Sequence, residues 1–257
     1  MMRAKAAFRI FTKQATPAFL SSQMHLMPTK AWKKGELINP RRIARETFWT
    51  LGSGLSDSAT LSDHLLRLIG ILNPKCDALP RLQRLGKTDF FCGLFGGREA
   101  NARFEVVEEV IQWCSQWGVT ITLDCYPPNP TSDEVINGAD EFDDDSEEGL
   151  PRAFAYMAKR GASAIEDSWP NGIRSGDRLP HPDRTAQIVV ISDLCEAEGP
   201  SEHIARVLAL AGSQKVSSIP LGLDLVCSIA GYGTVALKKP ALDDLGRIQA
   251  RLRLQLC

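Results

Sequence analysis

No stretch of this sequence approaches the roughly 18 consecutive apolar residues that a membrane-spanning helix needs. Histidine is scarce, with four in 257 residues, and no two stand at metal-ligand spacing. There is no Cys-x-x-Cys and no His-Glu-x-x-His, so a zinc site has no local support and neither a metal nor a cofactor is expected. Gly52-Ser53-Gly54 follows a strand-like run and Gly93, Gly96 and Gly97 end another, but neither completes a dinucleotide or phosphate-loop pattern. An acidic run places Asp144, Ser146, Glu148 and Gly149 near the early positions of a calcium loop. Its twelfth position is Ala155, where a bidentate Glu is required, so the shell cannot close. Seven scattered cysteines make no disulfide framework, and several sit in apolar runs such as Phe90-Phe91-Cys92 and Leu225-Val226-Cys227. A reducing, cytoplasmic setting fits them.

What the sequence has is an ordinary globular composition, 44% hydrophobic and 24% charged, enough to build a packed core. Its net charge of −1 hides two unlike halves. Residues 1–126 carry 17 Lys+Arg against 11 Asp+Glu, and residues 127–257 carry 13 against 20. The basic half lacks the dense Lys/Arg stripe of a nucleic-acid binder, so no nucleic-acid partner is expected. The first 35 residues hold seven Lys/Arg and no acid, the profile of a transit peptide. Against that, Ala6–Phe11 reads as a strand, and Thr16-Pro17 as a helix start with its cap.

Hydrophobic period predicts strands at about 4–12, 47–53, 88–95 and 119–126 and helices at about 17–26, 60–72 and 104–117. Polar loops are predicted over 28–36, and a Pro-broken connector around Pro74 and Pro80. Ser62 reads as the N-cap of the helix at 60–72.

The second half repeats the first. Ser62-Asp63-His64-Leu65 and the residues after it return 139 positions later as Ser201-Glu202-His203-Ile204, and the same offset lays Leu51 on Val190. Asp89-Phe90-Phe91-Cys92-Gly93-Leu94 matches Asp224-Leu225-Val226-Cys227-Ser228-Ile229 at an offset of 135. Three matches in one order at near-constant spacing predict an α+β protein of two tandem pseudo-repeated modules, each a small mixed or antiparallel sheet with helices mainly on one face. The modules would span 1–126 and 150–257. A Pro-rich, then acidic linker over 127–149 would join them. The second copy's start is its weakest point, because no clear first strand precedes the helix predicted at about 151–160.

Phe8-Arg9-Ile10, Leu26-Met27-Pro28, Lys34-Gly35-Glu36, Trp49, Ser62-Asp63-His64-Leu65 and Gly118-Val119-Thr120-Ile121 together resemble the bacterial domain-of-unknown-function family 4279, over about residues 4–126. The second half would be a degenerate copy lacking the Met-Pro turn and the Trp. The resemblance implies a small α+β protein and, for function, an immunity-type protein that neutralises a toxin encoded beside it by covering the toxin's active site.

From the residues themselves, Trp32 beside Lys33, Lys34 and Glu36 in a polar loop has the composition of a binding anchor; it could also fold back over the core. His64 and His203 hold equivalent early-helix places and are candidates for polar contacts at a shared site or for core histidines. Asp143, Asp144 and Asp145 offer an acidic surface to a basic partner, or a solvated linker. The leading expectation is an intracellular protein that binds a protein partner, a toxin on the resemblance. The alternatives are an enzyme with a shallow site between the modules using His64 or His203, and a structural or regulatory scaffold.

Overall fold

Every second residue of β1 (Arg3–Thr12) is buried, the mark of a strand with one face on a core. Ala4, Ala6, Phe8, Ile10 and Thr12 point inward. Burying a side chain such as Phe8 contributes about 1.5–3 kcal/mol. The computed structural model describes residues 2–39, 42–96, 102–126, 152–159, 187–191, 223–230 and 233–256, together with residues 201, 204–205 and 208–209. His203 and Asp143–Asp145 lie outside the described residues, as does the acidic linker.

β1 pairs antiparallel with β5 (Thr47–Gly52) on one side and with β6 (Gly86–Phe95) on the other. Beyond β6 comes β8 (Thr120–Tyr126), parallel to it, and beyond β5 comes the edge strand β2 (Lys30–Trp32). β12 (Gly233–Leu237) closes the other edge, giving the order β12-β8-β6-β1-β5-β2. A second sheet runs β10 (Gln187–Ile191), β9 (Arg152–Lys159), β11 (Leu223–Ala230), β13 (Arg251–Leu256), β7 (Ala102–Val106). A separate hairpin of β3 (Leu37–Asn39) and β4 (Arg42–Ile43) stands off the first sheet. Helices and mixed sheets make this an α+β fold.

The helices have local causes. Thr16 caps α1 (Pro17–Met24) by accepting from the Phe19 N–H, with Pro17 at the first turn. α2 (Leu61–Leu72) opens on a capping box: the Thr60 hydroxyl accepts from the Asp63 N–H, and the Asp63 carboxylate accepts from the Thr60 N–H. Thr60 is therefore the cap, and Ser62 is already inside the helix, its hydroxyl donating to the Glu105 carbonyl of β7 at 2.7 Å. The connector near Pro74 and Pro80 is itself helical, a 3-10 turn over Asn73–Ala78 and then α3 (Leu79–Leu85), each proline lying in a first turn, where it lacks no bond. α1 packs on β5, α2 on β1 and α3 on β6, all on the face where β1 buries its even-numbered residues.

Two predicted helices differ. Residues 104–106 are strand, not helix: in β7 Ala102, Phe104 and Val106 are buried while Arg103 and Glu105 are not, a period of two, and only at Glu108 does α4 (Glu108–Trp117) begin. The predicted helix at 151–160 is β9. Three alanines favour helix there, but the segment lies between β10 and β11 and takes ladder hydrogen bonds from both sides, so tertiary pairing overrides propensity. The polar loop at 28–36 likewise contains edge strand β2.

The core ignores the expected module boundary. One continuous cluster joins Phe8, Trp49, Leu68, Phe90 and Ile111 to Ile204, Leu208, Leu225, Leu242 and Leu254. Each sheet also takes one strand from the other half, β12 in the first and β7 in the second. The segments 1–126 and 150–257 therefore do not carry self-contained sheets.

Candidate binding surface

The face of the first sheet opposite its helices is where charge and aromatic side chains collect. Arg9 on β1 and Asp89 on β6 sit directly opposite each other, and the guanidinium donates through Nε and through a second nitrogen to the two carboxylate oxygens, at 2.9 and 2.6 Å. Thr122 on β8 donates to the same carboxylate at 2.9 Å. The Arg9 guanidinium lies 4.0 Å from the Phe91 ring centre and 4.9 Å from that of Phe11. A planar cation held bidentately between rings cannot turn elsewhere, so this pair stiffens the sheet and is not a free anion site.

From Phe11 an aromatic row runs to the sheet edge. Phe48 tilts against Phe11 with centres 5.1 Å apart, and Trp32 stacks on Phe48 at 4.5 Å with 23° between planes. Lys30 places its ammonium 5.1 Å from the Trp32 ring centre. Trp32 is thus half-buried on strand β2, stacked on the sheet face away from the helices and outside the core cluster.

Past Trp32 the chain turns sharply. The Glu36 N–H donates to the Lys33 carbonyl at 2.9 Å, the Glu36 carboxylate accepts from the Lys33 N–H at 2.7 Å, and Gly35 takes a φ of +85° that favours glycine. The Lys34 N–H donates to the Thr47 hydroxyl at 3.2 Å. Backbone bonds between Gly35, Glu36 and Ala44 tie the turn to the β3–β4 hairpin. Lys33, Lys34 and Glu36 are all exposed, and Glu36 braces the turn through its carboxylate.

The hairpin carries residues that sequence reasoning missed. Leu37 and Ile43 face each other across it and are 62% and 61% exposed. Lys33, Lys34, Arg42 and Arg45 are exposed around them. Two branched aliphatics left exposed on a hairpin, with four exposed cations and the exposed Glu36 close by in the chain, form a small apolar knob in a mainly basic stretch. The sequence signal was the apolar pair Leu37-Ile38, just past the predicted polar loop over 28–36.

His64 lies elsewhere. It is 1% exposed on the buried side of α2, with Nδ1 2.6 Å from the Ser53 hydroxyl and no hydrogen bond at Nε2. Burial holds its pKa below the ordinary histidine value, against the weaker pull of the Asp57 carboxylate and of the Ser56 and Ala4 backbone. The structure therefore separates His64 from the Trp32 turn and makes it a core histidine. Trp49 and Trp113 are core too, their ring N–H groups satisfied by the Ser21 hydroxyl at 3.0 Å and the Asn73 side-chain oxygen at 2.7 Å.

Residues 2–128 match the family model described as Domain of unknown function (DUF4279). The N-terminal half is a DUF4279 domain. No curated protein and no solved structure matches the chain. Every surface feature above lies inside the DUF4279 region, but that region is not closed on itself: Asp124, 1% exposed at its margin, accepts from the Tyr126 hydroxyl at 2.8 Å and from the Thr234 hydroxyl of β12 at 3.0 Å. Among the described residues no group of His, Cys, Asp or Glu side chains could hold a metal ion, and no helix is long and apolar enough to cross a membrane. The five described cysteines, Cys76, Cys92, Cys114, Cys125 and Cys227, are free and buried, and burial pushes their thiols up, Cys227 to about 12. They are small apolar fillers, not nucleophiles.

Proposed function

We propose that the protein is an intracellular, cytoplasmic binding protein of the immunity type, which neutralises a bacterial toxin by covering it one to one. The β3–β4 hairpin would be its contact element and an acidic protein surface its target. The single observation that supports this reading is the Leu37–Ile43 pair, facing each other and largely exposed, with exposed Lys33, Lys34, Arg42 and Arg45 close by in the chain. An apolar centre inside a charged rim is the usual make-up of a binding hot spot, the centre giving affinity and the rim giving approach rate and choice of partner. Trp32 stacked on Phe48 would back the hairpin with a rigid aromatic shelf. The catalytic alternative called on His64, whose ring is held by Ser53 and withdrawn from solvent; the binding reading needs no such group.

Co-expression with the toxin gene adjacent to its own tests the proposal. Growth should be rescued and the two proteins should co-purify at one to one. The double substitution Leu37→Asp/Ile43→Asp, at exposed positions outside the core, should abolish both effects with the circular dichroism spectrum unchanged. Rescue that survives that substitution moves the contact away from the hairpin, and an adjacent product that is not toxic removes the immunity reading.

A further inference from the structure

The strand order β10-β9-β11-β13 repeats β5-β1-β6-β8 in every direction: antiparallel, antiparallel, parallel. Registers agree as well. Asp89 lies beside Thr120 in the parallel pair of the first sheet, and Asp224 beside Arg251 in the second, shifts of 135 and 131 positions. Leu51 opposite Phe8 returns as Val190 opposite Met157, although an irregularity between Ile188 and Val190 moves the rest of that ladder by one residue.

The two sheets meet by exchange. β7 leaves the first half and pairs antiparallel with β13; β12 leaves the second half and pairs antiparallel with β8. A single shift of 131 converts one contact into the other. Phe104 opposite Leu254 becomes Val235 opposite Leu123, and Val106 opposite Leu252 becomes Leu237 opposite Ile121. Ladder registers are rarely interchangeable, since a slip of one residue would turn each buried side chain outward.

The same shift carries α4 onto α5 (Lys239–Arg247), including the ends. Gly118 with φ +66° maps onto Gln249 with φ +51°. The bonds from Gly118 N–H to Ser115 O and from Val119 N–H to Cys114 O map onto Gln249 N–H to Gly246 O and Ala250 N–H to Leu245 O. These two helices pack on each other, and Ser115 donates to Asp243 at 2.5 Å. Ser62, bonded to Glu105 on β7, corresponds to Ser201, which accepts from the Ala236 N–H on β12 at 3.0 Å.

We infer that residues 152–256 are a second DUF4279-type module, and that the two modules are a fused pair whose reciprocal strand exchange makes each the binding partner of the other. The surface involved on the first module is the β8 edge, the projecting β7 and the side of α4 that packs on α5, and the partner it fits is a second copy of itself. The copies are unequal: the position facing Asp224 is Ala158, where the first module sets Arg9 against Asp89.

The test uses the full chain with a site-specific protease sequence inserted between Asp133 and Glu148. After cleavage the two fragments should co-elute as one particle of unchanged size. Two double variants, Glu105→Cys/Arg253→Cys and Thr122→Cys/Ala236→Cys, address the two exchanged pairs, because residues directly opposite on antiparallel strands lie within disulfide reach. After oxidation, cleavage and denaturation without reductant, each should leave the fragments covalently joined. Separation of folded fragments after cleavage overturns the inference, and so does linkage at 105/253 without linkage at 122/236, which would mean donation in one direction only. Amide exchange on the unaltered chain gives an independent reading if a cysteine variant fails to fold. β7 and β12 should be protected to the same degree as β8 and β13; free exchange of either strand overturns the pairing.

Discussion

His64 shows what a buried titratable group does to stability. Its folded-state pKa lies below the unfolded value of 6.5, chiefly through burial, so the unfolded chain takes up a proton first as pH falls. The stabilisation is complete above that value and is lost as pH drops through the folded pKa. Urea midpoints measured from about pH 8 to 5 should therefore fall, and His64→Gln should flatten the decline. Arg9 and Asp89 make a second case, with side chains 15% and 14% exposed. Removing one partner strands the other in a largely dry setting, so Asp89→Asn should cost about 1–3 kcal/mol in chemical denaturation. Arg9→Lys should not restore the pair, because an ammonium cannot bond bidentately or stack on Phe91 as a planar guanidinium does. Gly86 is governed by space and not by φ: a Cβ there would run into the Phe11 carbonyl oxygen. Gly86→Ala should part β6 from β1 and leave little folded protein at the temperature where the parent is intact.

Among the elements, the helix ends carry the most testable chemistry. α4 and the helix after β12 both stop on a left-handed residue, glycine in one and Gln249 in the other. A side chain in that conformation costs about 1 kcal/mol or more, so Gln249→Gly should raise stability by up to about 1 kcal/mol and Gly118→Ala should lower it by a similar amount. Thermal melts of the two variants should move in opposite directions. Thr60→Ala, which removes one side of the capping box, should cost about 1 kcal/mol. These ends were legible in part. Thr16-Pro17 and Gly118 announced their boundaries, whereas Ser62 misled, since Thr60 two residues earlier could cap equally well and Asp63 at the third position chose it. β9 was unreadable for a different reason: its identity as a strand lies in the ladders of β10 and β11, not in its own residues.

For the whole molecule the decisive fact is one core shared by both halves. Unfolding should then show a single transition, and a substitution far along the chain should be felt at the other end. Leu254→Ala, at a fully buried position on β13 opposite Phe104, should lower stability by about 2–5 kcal/mol. The fluorescence of Trp49 and Trp113, which sit in the first half, should report that loss at the same temperature as far-ultraviolet circular dichroism; two separate transitions would mean independent halves. The sequence by itself determined the α+β class, the first-half strands at β1, β5, β6 and β8, the family, the buried cysteines and the periodic faces of α2 and α4, because short-range period and local capping are written in neighbouring residues. Only the tertiary structure decided that β7 and β12 change sheets, that His64 turns inward while Leu37 and Ile43 turn outward, and that Arg9 meets Asp89. Those outcomes depend on which segments, distant in the chain, compete successfully for one another's hydrogen bonds and apolar surface, and that competition leaves no mark on any one segment read alone.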